Sequence, residues 1–281
     1  MTYRTILVHL NDERRMMRLL TPAIALAERW NCHLIGASAL PPVYVVPTGA
    51  PGIGDAVVID EHRNEYQREL DRIKSAFAEA TAGRALVTEW REEDALHDSV
   101  AERIGALARC ADLIVASQTD ADWAGSYYHD VGDRLIVEGG RPVLLVPNAG
   151  HFETVGKRIL LAWNGTREAT RVTFDALPVL KHAEQVIVMR VDGADGRPGA
   201  LSASTADICA TLARHGVKCT ALNAEHGSGG VGRTLLATSA DRKCDLLVMG
   251  CYGHSRLREF VFGGATRTVL ESMQIPVLMS H

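Results

Sequence analysis

The chain has 281 residues, a formal net charge of −4 and a pI near 6.3, with 47% hydrophobic residues. That length is long for one compact α/β domain and comfortable for two. The mild acidity and the lack of a dense Lys/Arg cluster exclude bulk attraction to nucleic acid or an anionic membrane, and no apolar run is long enough to span a bilayer.

The N-terminus enters directly into the strand-like Arg4-Thr5-Ile6-Leu7-Val8, without a signal-peptide pattern. Asn11-Asp12 reads as a helix cap, and Leu34 to Leu40 as a second apolar strand. Pro41 to Gly54 is Pro/Gly-rich and aperiodic, the signature of an inserted loop. Tyr66, Leu70, Ile73 and Phe77 then fall on one helix face, followed by the strand-like Leu86-Val87-Thr88. A helix carrying Val100, Ile104 and Leu107 leads to the apolar run Leu113 to Ala116. Arg141 to Val146 closes the first half, and Pro147 to His151 reads as a connection.

The order then repeats. Strands are expected at Ile159 to Ala162, Val186 to Met189, Val217 to Leu222 and Leu246 to Met249. Helices are expected near Ile208 and Leu212, near Leu235, and over Thr266 to Glu271, with Ile275-Pro276-Val277-Leu278 closing the chain. Ile6-Leu7-Val8 matches Ile159-Leu160-Leu161, Ala111-Asp112-Leu113-Ile114-Val115 matches Cys244-Asp245-Leu246-Leu247-Val248, and Arg141-Pro142-Val143-Leu144 matches Ile275-Pro276-Val277-Leu278. The offsets are 153, 133 and 134 residues. This is an internal duplication, with about 20 extra residues in the first half assigned mostly to the Pro/Gly loop. The strand runs are nearly continuous in Ile, Leu and Val, which marks parallel strands covered by helices on both faces. Two tandem, open, five-strand Rossmann-like α/β domains follow, at 1–148 and 154–281.

In such sheets ligands sit beyond the carboxyl ends of adjacent strands, here the first and fourth of the second half. Behind the fourth strand stand Gly250, Gly253, Gly263 and Gly264, in the spacing Gly-x2-Gly-x9-Gly, ahead of a helix. Bare N–H groups and the positive end of the helix dipole suit an anion there. Asn164, after the first strand, either hydrogen-bonds a sugar hydroxyl or base edge or caps the next helix. Gly227-Ser228-Gly229-Gly230-Val231-Gly232 spells GxGxxG but follows the third strand, with Tyr252 where an acidic residue belongs. It is read as a lip beside the site, not a dinucleotide fingerprint.

The six cysteines are scattered with no CxxC, as in a reducing cytoplasm, and none of the eleven histidines pairs as HxH or HxxxH, so no metal site is expected. No GxSxG or Walker motif occurs. His254 and Glu259 read as solvated loop residues, and Cys251 reads as a packed or solvent-exposed thiol without redox duty despite a nearby helix N-terminus.

Met249-Gly250-x2-Gly253-x9-Gly263, Asn164 and the closing Ile275-Pro276-Val277-Leu278 resemble the ATP-binding branch of the universal stress protein family, in a tandem two-domain form. The resemblance covers both halves. It implies that Val191 and Met249 border adenine, with Asn164 where the family usually has Asp. It further implies Gly250 and Gly253 against ribose and phosphate, and Gly263, Gly264, Ala265 and Thr266 around the phosphates. Gly264 stands where Ser or Thr is usual. The first half lacks the pattern: Ser117 and Asp120 align with Gly250 and Gly253, and His129 and Asp130 with Gly263 and Gly264. Their side chains and carboxylates are expected to exclude phosphate. The resemblance thus implies a cytoplasmic, stress-linked ATP sensor with a degenerate N-terminal partner. It also implies that Val143–Val146 and Val277–Met279 form the seam of this pseudo-dimer, and a homodimer is compatible with it. The alternatives are a slow Mg²⁺-dependent ATPase and a nucleotide-free interaction scaffold.

Overall fold

The computed structural model describes residues 2–43, 53–96, 98–120, 130–192, 203–225, 227–251 and 264–281. In the first half β1 (Thr5–His9), α1 (Glu13–Trp30), β2 (His33–Leu40), α2 (Ile53–Thr81) and β3 (Val87–Asp94) are followed by α3 (Val100–Ala108), β4 (Leu113–Ser117), α4 (Val131–Glu138) and β5 (Val143–Val146). The second half runs β6 (Arg158–Ala162), α5 (Arg167–Asp175), α6 (Leu177–Leu180), β7 (Gln185–Asp192), α7 (Thr205–Arg214) and β8 (Cys219–Glu225). It closes with α8 (Gly230–Asp241), β9 (Leu246–Gly250), α9 (Gly264–Ser272) and β10 (Val277–Ser280).

All ten strands belong to one sheet, in the order β3-β2-β1-β4-β5-β10-β9-β6-β7-β8. Reading outward from the middle, each half has the same strand order, so the duplication seen in the sequence is a duplication of topology. Neighbouring strands are parallel except β5 and β10, which pair antiparallel with Val277 opposite Leu145 and Met279 opposite Val143. The closing strands therefore form the seam expected for them.

The burial pattern explains the strand composition. Every residue of β4, β5 and β10 is buried, whereas the outer strands β3 and β8 alternate between exposed and half-buried positions. Inner strands covered on both faces need unbroken apolar runs; an edge strand does not. Each face of the sheet carries one apolar core, and each core is continuous through both halves. One joins Leu20, Trp30 and Leu144 to Val172, Leu180 and Leu278. The other joins Ile104, Leu135 and Leu145 to Leu247, Val269 and Met279. Burying each large aliphatic side chain contributes about 1.5–3 kcal/mol, and here that contribution crosses the seam. Gln118 adds a polar tie, donating Nε2–H to the Leu270 carbonyl at 2.5 Å and accepting from the Asn148 amide at 3.0 Å.

One expectation is corrected. The first-half surplus lies in a helix, not in the Pro/Gly loop: α2 has 29 residues where its counterpart α7 has 10. The face formed by Leu70, Ile73 and Phe77 is buried as expected. The helix continues past it to Thr81, which is buried, with Ala80 packed against the same core. Much of the Pro/Gly segment itself lies outside the described residues.

Candidate functional site

β6 and β9 are parallel neighbours, with Leu161 opposite Val248, so their carboxyl ends lie together on one edge of the sheet. β6 leads through Trp163 into Asn164-Gly165-Thr166. Buried Trp163 fixes this turn, its Nε1–H donating to the Ala203 carbonyl ahead of α7 at 2.9 Å. Gly165 takes a positive φ of 75°, which favours glycine. Thr166 is the N-cap of α5 and accepts from the Ala169 amide. Asn164 is exposed and does not cap the helix itself. Its Oδ1 accepts from the Thr166 amide at 3.1 Å and from the Thr166 hydroxyl at 2.9 Å, so Asn164 orients the residue that caps.

Gly250 ends β9 against the first turn of α5. A Cβ there would stand 2.5 Å from the Glu168 carbonyl carbon and 2.6 Å from the Ala169 nitrogen. Helix packing thus accounts for this glycine without any ligand. Glu168 is itself buried, and Arg167 approaches it at 3.2 Å. Cys251 follows; its thiol donates to the Ser280 carbonyl, and burial, with the Glu168 charge, pushes it far above the usual range for a thiol. Cys251 is a packing residue.

α9 begins at Gly264, which is exposed and, among the described residues, has no heavy atom within 4 Å of where a Cβ would stand. Ala265 is half-buried and Thr266 is buried at 4% exposure. Val191, near the end of β7, and Met249 are both buried members of one core. Gly253 and Gly263 lie outside the described residues, as do His254 and Glu259. The GxGxxG run has its own explanation. Gly230 opens α8 at a φ of 74°, and a Cβ on Gly232 would stand 2.8 Å from both the Ala265 carbonyl oxygen and Thr268 Cβ. That glycine lets α8 cross the start of α9.

The corresponding strand ends of the first half are closed by side chains. Asp12 caps α1, accepting from the Arg14 amide at 2.7 Å. Arg15, the third residue of α1, occupies the place that Ala169 holds in α5. Its guanidinium donates to Asp120 at 2.6 Å and to Asn148 Oδ1 at 3.1 Å, while Arg18 donates to the Asn148 carbonyl. Asp120 is therefore neutralised, not bare, and the expectation of simple carboxylate repulsion is corrected at this position. Asp130 sits at the start of α4 without a side-chain capping bond, and burial raises its pKa. Burial also raises Asp133 to about 6. His129 lies outside the described residues. Arg15 was missed in the sequence because an arginine in a first turn looks solvated; its position three residues beyond the cap was the available signal.

Among the described residues no group of three or more His, Cys, Asp or Glu side chains is placed to hold a metal, and no helix is long and apolar enough to cross a membrane. The fold and this strand-end edge define an open α/β protein with a mostly parallel sheet. Residues 194–281 match the model of the Universal stress protein family. The chain is 30% identical over 148 residues to Universal stress protein Slr1230 of Synechocystis, covering 52% of this chain and 49% of that protein. The chain thus spans about half the length of this curated relative. A universal stress protein of Archaeoglobus fulgidus superposes with a TM-score of 0.69 at 12% identity, covering 98% of this chain and 95% of that one. A functionally unknown protein of Pseudomonas aeruginosa PAO1 superposes at 0.56 and 16% identity, over 99% and 92% of the two chains. These structural likenesses establish the fold.

Proposed function

We propose that this protein is a tandem universal stress protein that binds one ATP in its second half, residues 154–281, and acts as a cytoplasmic, stress-linked nucleotide sensor. The first half, residues 1–148, is the nucleotide-free partner of a pseudo-dimer. The observation that carries this reading is the contrast between the two sets of strand ends. In the second half α9 opens on an exposed Gly264 where, among the described residues, no heavy atom lies within 4 Å of a Cβ position. In the first half Arg15 fills the equivalent region and pairs with Asp120.

The residues present suit an adenine nucleotide in kind. Among the described residues the Asn164 amide NH₂ has no protein partner and is exposed to a sugar hydroxyl. The α9 terminus offers N–H groups and a positive dipole end to phosphate, with Gly253 and Gly263 supplying close backbone approach. Val191 and Met249 supply an apolar border for a base. Bound Mg²⁺ would screen phosphate charge; only the ATPase alternative requires it for turnover.

Mass analysis of small molecules that co-purify, followed by equilibrium titration with ATP, tests the reading. One nucleotide per chain is expected. Gly263→Val should weaken ATP binding about tenfold or more, since a lost charged hydrogen bond is worth about 1.5–3 kcal/mol. Unchanged affinity in the folded variant would transfer the assignment to the scaffold alternative, and steady phosphate release would transfer it to the ATPase.

A further inference from the structure

The cysteines differ in their surroundings. Cys32, Cys244 and Cys251 are buried, Cys110 is exposed, and Cys209 and Cys219 lie at intermediate depth. Cys209 is on α7 and Cys219 begins β8. The helix turns back onto the strand through Gly216, at a φ of 82°, and lies alongside it. Thr205 at the helix start bonds Asn223 near the strand end at 3.1 Å. At the other end the Cys219 thiol donates to the Cys209 carbonyl oxygen at 3.5 Å. Two partly accessible cysteines, the thiol of one against the backbone of the other, on elements held in register by the Thr205–Asn223 bond, form a dithiol site.

We propose that Cys209 and Cys219 are an oxidisable dithiol that small disulfides of the oxidised-glutathione class convert to an internal disulfide, tethering α7 to β8 at the outer edge of the second half. In the first step the Cys219 thiolate attacks one sulfur of the small disulfide. That S–S bond breaks, one small thiolate leaves, and a mixed disulfide forms on Cys219. In the second step Cys209 loses its proton to solvent and attacks the Cys219 sulfur, releasing the other small thiolate. Two protein thiols are oxidised and one small disulfide is reduced to two thiols.

The order of the steps follows from the surroundings. Burial pushes the Cys209 thiol up to about 12, and its hydrogen bond to Cys219 and the Cys219 charge add to that push. Cys209 therefore keeps its proton and does not make the first attack. Once Cys219 carries the mixed disulfide, burial is the remaining obstacle to Cys209. A disulfide needs the sulfurs at about 2.05 Å, so the Cys219 side chain rotates from the Cys209 carbonyl toward the Cys209 sulfur.

The test uses the full chain with Cys110→Ser, removing the exposed thiol, treated natively with oxidised glutathione. Trypsin cuts after Arg214 and Lys218, so the two cysteines fall in separate peptides. The expected product is one cross-linked pair, two hydrogens lighter than the reduced peptides together and separated by dithiothreitol. Cys209→Ser should trap glutathione on Cys219, whereas Cys219→Ser should leave Cys209 unmodified. Recovery of both cysteines as free thiols, or as separate glutathione adducts without the cross-link, in protein that circular dichroism shows folded, would overturn the proposal.

Discussion

Arg15 reaches over the strand ends of the first half and donates to the Asp120 carboxylate at 2.6 Å. Asp120 aligns with Gly253, and Arg15 is the third residue of α1 as Ala169 is of α5, so this pair marks the two halves as different where their topology is the same. The side chains are 12% and 29% exposed, which removes much of the solvent screening that makes surface pairs weak.

Arg15→Ala should therefore lower stability by about 1–3 kcal/mol, because Asp120 and Asn148 lose a charged donor together. It should not create a second nucleotide site, since Asp12 and Asp120 remain. Urea unfolding gives the first quantity, and ATP titration gives the second; a stoichiometry of two would contradict the asymmetry.

Gly250 and Gly264 should respond in opposite ways to a side chain. Gly250→Ala places a Cβ 2.5 Å from the backbone of α5, so a loss of about 1–3 kcal/mol is expected from overpacking. Gly264→Ser meets no described heavy atom within 4 Å, should stay within about 0.5 kcal/mol of the parent, and should leave ATP affinity unchanged or tighter. Thermal and urea midpoints of the two variants check the contrast.

Asn164 holds Thr166 through Oδ1. Asn164→Ala should cost about 0.5–2 kcal/mol, in the range of a lost cap. Asn164→Asp keeps the acceptor and adds a charge near the N-terminus of α5, favourable to the dipole. If the residue meets a ribose hydroxyl, the charged bond is about twice as strong, and ATP should bind several-fold more tightly by calorimetry.

Asp133 gives a pH dependence. Burial raises its pKa from the ordinary 3.8 to about 6, with the Asp130 charge adding. Below the unfolded value both states are protonated and no penalty exists. As pH rises toward 6 the unfolded chain ionises first, so this residue costs increasing stability, up to about 2–3 kcal/mol above pH 6. Asp133→Asn should match the parent near pH 4 and exceed it near pH 8. Urea midpoints that differ equally at both pH values would refute this.

The seam should be cooperative. Gln118→Leu leaves the Leu270 carbonyl and the Asn148 amide without their partner, at about 1–3 kcal/mol. Cutting the chain at Asn148 exposes the edges of β5 and β10, whose residues are all buried. Each isolated half should self-associate in ultracentrifugation; soluble monomeric halves would show the shared core to be dispensable.

The amino-acid order determined the architecture because its signals are local. Unbroken Ile/Leu/Val runs at repeating offsets mark buried parallel strands, and Pro142 and Pro276 mark where each closing strand starts. Asn164, Gly250 and Gly264 were legible as strand-end and helix-start residues for the same reason. What those residues touch was decided by tertiary structure. Gly250 has no Cβ because α5 presses on it, Gly232 because α8 crosses α9, and Thr166 rather than Asn164 caps the helix. Arg15 closes the first half only because the fold brings α1, Asp120 and Asn148 to one point, 105 and 133 residues apart in the chain. No local pattern encodes such meetings, since a contact between distant residues depends on the packing of every element between them.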